Sequence, residues 1–149
     1  MISKEAIIFT GIQASGKSSY YHQYFSDYAH VNLDTLHTRN KEKRLLEECI
    51  HEEKSFVVDN TNPTRKDREK YIALAKENGY KVKGYYFQSS IAECKERNRM
   101  REGDARVPDV AMYCTHSKLE LPVPGEGFDE LYYVRIEDGK FVTEEWKEI

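Results

Sequence analysis

No apolar stretch in this chain approaches the roughly 20 residues that a membrane-crossing helix needs, which excludes a helical membrane protein. Cysteine is scarce: Cys49, Cys94 and Cys114 lie far apart and form no C-x-x-C pair, which excludes a zinc ribbon or a dithiol redox centre. Met1-Ile2-Ser3-Lys4-Glu5 runs straight into an apolar segment, so no signal peptide is expected. The expected compartment is therefore the cytoplasm, with free thiols. There is no internal repeat, low-complexity tract or Gly/Ser linker, so residues 1–149 are expected to form one domain, long enough to bury a core without staples. His22, His30, His51 and His116 show no metal-ligand spacing and are expected at the surface or in packing. A surplus of positive charge is also missing. The net charge of −3 argues against a general nucleic-acid coating protein. Its distribution is uneven: residues 63–118 hold 13 Lys and Arg against 8 Asp and Glu, whereas residues 119–149 hold 3 against 9. The middle of the chain can present a basic face to a polyanion, or simply a set of solvated helices.

What the chain does have begins at Gly11. Gly11-Ile12-Gln13-Ala14-Ser15-Gly16-Lys17-Ser18 is a complete Walker A loop, G-x-x-x-x-G-K-S/T. The apolar run Ala6-Ile7-Ile8-Phe9 precedes it and Ser18-Ser19-Tyr20-Tyr21 follows it, the strand–loop–helix setting that the motif requires. The two glycines let backbone N–H groups turn inward around an anion, and the helix N-terminus adds partial positive charge. Lys17 is then expected to reach the β- and γ-phosphates of ATP, with the Ser18 hydroxyl on Mg²⁺ and Ser19 closing the cradle.

Apolar runs predict strands over Ala6–Thr10, Ala29–Asn32, Ser55–Asp59, Lys81–Phe87 and Glu130–Ile136. Amphipathic stretches predict helices over Lys17–Phe25, Thr35–Glu53, Thr64–Asn78, Ile91–Arg101 and Pro108–Leu119. Thr64 is a natural N-cap, with Asp67 three residues on. Strict alternation of this kind implies an α/β fold with a parallel sheet, whose ligands bind beyond the carboxyl ends of the strands. Asp34 and Asp59 both fall there. Asp59 ends the run Phe56-Val57-Val58 in the position of a Walker-B-type acid and is expected to hold Mg²⁺ opposite Ser18. Asn60 and Asn62 are expected to fix the turn after it. Asp34 fits two roles equally from its position: a base that accepts an acceptor hydroxyl's proton, or the cap of the helix beginning at Thr35. Arg97, Arg99 and Arg101 end a helix ahead of a Gly-containing loop, and residues 97–119 look like a lid over the triphosphate. Side chains at i and i+2 do not share a helix face, so the three cannot all point at one ligand; Arg99 and Arg101 are expected to grip phosphate oxygens, with one of them carrying most of the chemistry. Of the eleven tyrosines, Tyr85-Tyr86 and Tyr132-Tyr133 sit in expected strands, and most are expected to be core or half-buried.

These residues together resemble the kinase domain of the polynucleotide 5′-hydroxyl kinases, within the adenylate-kinase-like phosphate-loop kinases. The stretches that carry the likeness occur in family order over about residues 5–135. They are Gly11–Ser18, Tyr28-Ala29-His30-Val31-Asn32-Leu33-Asp34-Thr35-Leu36, Val57-Val58-Asp59-Asn60-Thr61-Asn62-Pro63, Asn98-Arg99-Met100-Arg101, Val107-Pro108 and Glu126-Gly127-Phe128. The resemblance implies a five-stranded parallel sheet sandwiched by helices, with a helical lid. It also implies transfer of the ATP γ-phosphate to the 5′-hydroxyl of a nucleic acid. Asp34 matches the family's general base, Lys17 and Ser18 the ATP and Mg²⁺ pair, and Arg99 with Arg101 the lid arginines. Family members that act on nucleic acid often carry an arginine immediately before that aspartate or three residues after it. Here those positions are Leu33 and His37, with Arg39 nearby. A kinase of a small alcohol (nucleoside, sugar or antibiotic) is the rival expectation, and a non-catalytic ATP-binding module a second. Residues 137–149 have no family reading, though Lys140-Phe141-Val142-Thr143 is expected to add an edge strand.

Overall fold

β1 (Glu5–Thr10) forms the middle of the molecule because every residue from Ala6 to Phe9 is apolar and none is exposed. A run without polar alternation is what a strand covered on both faces requires. The computed structural model describes residues 4–147; Met1–Ser3, on which the expected absence of a leader rests, and Glu148–Ile149 lie outside the described residues.

Around β1 the chain lays down α1 (Lys17–Tyr24), β2 (Ala29–Val31), α2 (Leu33–Leu36), α3 (Arg39–His51), β3 (Phe56–Val58), α4 (Arg65–Glu77) and β4 (Lys81–Phe87). Then follow α5 (Ile91–Arg99), α6 (Asp109–Lys118), β5 (Glu130–Glu137) and β6 (Lys140–Glu145), with short 3₁₀ turns at Gly103–Ala105 and Pro124–Glu126. The sheet runs β2-β3-β1-β4-β5-β6. The five strands expected from the sequence are all parallel. The sixth, β6, folds back antiparallel on β5 and completes one edge, as the apolar residues from Phe141 suggested. No helix among the described residues is long and apolar enough to cross a membrane.

The side-chain alternation of β1 feeds two cores. Ala6 and Ile8 pack with Leu46 and Cys49 of α3 and Tyr71, Ile72 and Ala75 of α4. Ile7 and Phe9 pack on the opposite face with Tyr20 and Tyr21 of α1, Phe87 and Val134. Each fully buried Ile, Leu or Phe among them contributes about 1.5–3 kcal/mol. Gly84 in β4 is glycine because a Cβ there would stand 2.6 Å from the Phe128 ring, which lies directly on the strand. A third, smaller cluster of Ile12, Ala14, Cys94 and Met112 joins the phosphate loop to α5 and α6.

Local caps set the helix boundaries. Thr64 accepts from Asp67 N while the Asp67 carboxylate accepts from Thr64 N, a full capping box. The single helix expected over Thr35–Glu53 is two. His37 takes a left-handed φ of 69° and Thr38 is extended, accepting from Lys41 N to start α3 afresh. The Ile91–Arg101 helix ends at Arg99.

Candidate active site

The phosphate loop is held from both sides before it reaches α1. Gly11 N donates to the Thr61 carbonyl at 3.0 Å, tying it to the turn after β3, and Ile12 N donates to Ser89 Oγ at 3.1 Å beyond β4. Gly16 sits at φ 100°, and a Cβ there would meet Phe141 of β6 at 3.0 Å, so the last hairpin closes behind the loop. Ile12, Ala14 and Ser15 are buried, whereas Ser18 and Ser19 are exposed at the start of α1. Lys17 is 8% exposed, and its Nζ donates to the Ile12 carbonyl at 2.8 Å and toward Ser15 Oγ at 3.4 Å. Burial drives its pKa down from 10.5 to about 8, against the partial support of the Asp59 carboxylate.

Asp59 stands across from this lysine at the end of β3. Its Oδ2 accepts from Ser18 Oγ at 2.8 Å, from His30 Nε2 at 2.7 Å and from Asn32 Nδ2 at 3.2 Å. Burial alone would push this carboxyl up. The His30 hydrogen bond, the Lys17 charge and the Ser18 hydroxyl outweigh it and hold the group below the usual carboxylate range. Ser18 and Asp59 thus present two hard oxygen donors side by side, the donor set that Mg²⁺ takes together with phosphate oxygens and water. No cluster of three His, Cys, Asp or Glu side chains that would hold a metal by itself occurs among the described residues.

Asp34 lies in α2, just past β2. It does not cap that helix: Asn32 does, accepting from Thr35 N at 3.2 Å. The Asp34 carboxylate is exposed and has no hydrogen-bond or ion-pair partner among the described residues. Lys17, Ser18, Asp34, Asp59, Arg101 and Gln13 all line one cavity of about 750 Å³. A smaller space of about 110 Å³ continues from its Leu33, Asn60 and Thr61 wall toward Arg39, Lys70 and Tyr71.

The arginines separate. Arg101 lines the cavity and donates to the Ala105 carbonyl at 3.2 Å. Arg99 does not line it; its guanidinium pairs with Glu96 on the surface at 3.1 Å. Arg97, rather than Arg99, donates to the phosphate loop, at the Ala14 carbonyl at 3.1 Å. Asn98 clamps the loop between α5 and α6, donating to the Val107 carbonyl at 2.7 Å and accepting from Val107 N at 3.0 Å. Gln13 reaches α6 by donating to Thr115 Oγ1 at 3.0 Å. Asn60 and Asn62 do fix their turn. Asn60 Oδ1 accepts from Leu33 N at 3.0 Å, and Asn62 Nδ2 donates to the Phe9 carbonyl at 2.8 Å. His30 is expected from the sequence at the surface or in packing. Its ring does stack on Tyr21, but its Nε2 edge belongs to the site. No residue spacing signals that contact.

Residues 38–121 match a protein family described as an AAA domain, a match that begins beyond the phosphate loop. In sequence the chain is similar to a bifunctional polynucleotide phosphatase/kinase of Schizosaccharomyces pombe, 29% identical over 96% of this chain and 36% of that protein. It is also similar to a putative bifunctional polynucleotide phosphatase/kinase of Acanthamoeba polyphaga mimivirus, 32% identical over 97% of this chain and 37% of that protein. The chain thus spans little more than a third of the length of these curated relatives. In structure it is similar to Chaetomium thermophilum Kti12 in complex with ADP-AlF3, with a TM-score of 0.70 and 17% identity over 89% of this chain and 90% of that one. That likeness is one of fold. The α/β phosphate-loop fold expected from the sequence is the one observed.

Proposed function

We propose, from the premise that this chain belongs to the AAA-domain family of phosphate-loop kinases, that it transfers the γ-phosphate of ATP to the 5′-hydroxyl of a polynucleotide. In this reading residues 1–149 act as one kinase domain and residues 97–119 as its lid. The carrying observation is that Lys17, Ser18, Asp34 and Asp59 line a single cavity, with Asp34 the carboxylate of the two that has no partner among the described residues.

Each residue has a role that follows from its surroundings. The loop N–H groups and Lys17 bind the polyphosphate, and the buried lysine charge is worth more there than in water. Ser18 and Asp59 would hold Mg²⁺, which would supply positive charge against the polyphosphate. Asp34 orients the acceptor hydroxyl and takes its proton as the oxygen bonds to phosphorus and the bond to ADP breaks. Arg101, on the lid side, stabilises charge spread over the transferring group. The polynucleotide acceptor rests on the two relatives' names and on the basic balance of residues 63–118.

A small-molecule alcohol is the second reading, and Leu33 and His37 favour it, because neither is the arginine expected beside Asp34 for an acceptor phosphate. The roles are tested by Asp34→Ala. Removing a general base costs about 10²- to 10⁴-fold in turnover, while binding of an ATP analogue is expected to persist. Near-normal turnover in that variant would remove Asp34 from the chemistry.

A further inference from the structure

We infer that His30 is a positioning residue for the metal-side carboxylate, holding Asp59 by one oxygen so that the other is left for the cation that accompanies the nucleotide. This rests on the kinase reading above, and it concerns a residue that no metal-ligand spacing singles out.

Three donors converge on Asp59 Oδ2: His30 Nε2 at 2.7 Å, Ser18 Oγ at 2.8 Å and Asn32 Nδ2 at 3.2 Å. Oδ1 receives no hydrogen bond among the described residues, yet Asp59 lines the cavity. A carboxylate with one free torsion presents either oxygen to a cation. One pinned at Oδ2 by three donors presents only Oδ1. Ser18 and Asn32 have other duties. The first is itself a metal donor, and the second also caps α2 and donates to the Asp59 carbonyl at 2.9 Å. His30 makes no second hydrogen bond among the described residues, so its contribution can be removed on its own.

The ring is built to hold this orientation. β2 pairs with β3 so that His30 lies opposite Val57 and Val31 opposite Val58, which brings the His30 edge beside the strand end that carries Asp59. Tyr21 of α1 stacks on the imidazole, ring centroids 3.8 Å apart and 10° from parallel. The Tyr21 hydroxyl donates in turn to the Tyr28 carbonyl, which fixes that plate to the chain just ahead of β2. Because the Asp59 carboxylate can only accept, Nε2 carries the hydrogen of this bond.

The test separates the donor from the packing. His30→Phe keeps a ring against Tyr21 and loses the N–H; His30→Gln gives up the stack and keeps an N–H at comparable reach. Mn²⁺ is titrated by electron paramagnetic resonance into protein saturated with a non-hydrolysable ATP analogue. The Phe variant is expected to bind Mn²⁺ about 10- to 100-fold more weakly, the usual cost of losing an outer-shell partner, with the Gln variant within about 3-fold of the parent. Affinity for the analogue without metal should be unchanged in both. In turnover, the Phe variant's half-saturating Mg²⁺ concentration should rise by the same factor, while kcat at saturating Mg²⁺ recovers. Parental Mn²⁺ affinity in the Phe variant would overturn the inference alone. So would equal losses in both variants accompanied by a lowered Tm, which would make His30 a packing residue. A parent protein that forms no Mn²⁺–nucleotide complex would overturn the kinase reading and the inference with it.

Discussion

Lys17 has a depressed pKa of about 8 because it is buried in its own loop, and a bound triphosphate must raise it again. The sign is fixed: the free site loses its proton as pH rises through about 8, whereas anionic phosphates hold the proton on. ATP binding near pH 8–9 is therefore expected to take up a proton and to weaken as pH rises further. Calorimetry in buffers of different ionisation heat reads the uptake directly, and release of protons would contradict it. The arginines give a second comparison. Cys94 and Asn98 are the buried residues of α5, and Arg97 lies on their side of the helix while Arg99 turns away. Arg97→Ala removes a charge-assisted hydrogen bond to the phosphate loop, worth about 1.5–3 kcal/mol, and is expected to weaken ATP-analogue binding by about 10-fold or more. Arg99→Ala, losing only an exposed pair with Glu96, is expected to change it little. The sequence showed three arginines at alternate positions and the rule that they cannot share a face. Which face looked inward depended on Cys94 and Asn98, whose burial is decided by tertiary packing.

Between elements, the turn after β3 is fastened by Arg68 of α4. This guanidinium has no exposed surface; it grips Glu126 through Nε at 2.9 Å and Nη2 at 3.1 Å, and donates from Nη1 to the Asn62 carbonyl at 2.9 Å. Removing one partner strands a buried charge. Glu126→Ala is thus expected to cost about 3–5 kcal/mol in denaturant unfolding, far above the effect of an exposed pair. A loss under about 1 kcal/mol would mean that water replaces the carboxylate. The cap at Thr64 was legible because an N-cap and its partner lie within one turn of sequence. The break between α2 and α3 was not, because a left-handed histidine at position 37 has no sequence signature as glycine would. For the same reason Asn32, rather than Asp34, emerged as the cap of α2 only from the structure.

Across the whole molecule, alternating strands and helices sufficed to predict a parallel sheet with its site at the strand ends, which brought Lys17, Ser18, Asp34 and Asp59 to one rim. The role of the β5–β6 hairpin was invisible, because Phe141 meets Gly16 from over a hundred residues away. Charge acts at this scale too. If the acceptor is a polyanion held by the basic middle of the chain, its KM should rise steeply with salt, whereas that of an uncharged nucleoside should not. Arg39→Ala and Lys70→Ala, beside the smaller space next to Asp34, should raise the KM of an oligonucleotide more than that of a nucleoside.

The most direct measurement offers labelled γ-phosphate from ATP–Mg²⁺ to three acceptors in one experiment: a 5′-hydroxyl oligonucleotide, the same oligonucleotide already 5′-phosphorylated, and a mixture of nucleosides and sugars. A polynucleotide 5′-hydroxyl kinase labels the first, leaves the second unlabelled and labels the third weakly or not at all. Preferential labelling of a nucleoside or sugar, with the oligonucleotide untouched, would contradict that function and make Leu33 and His37 marks of a small-molecule kinase.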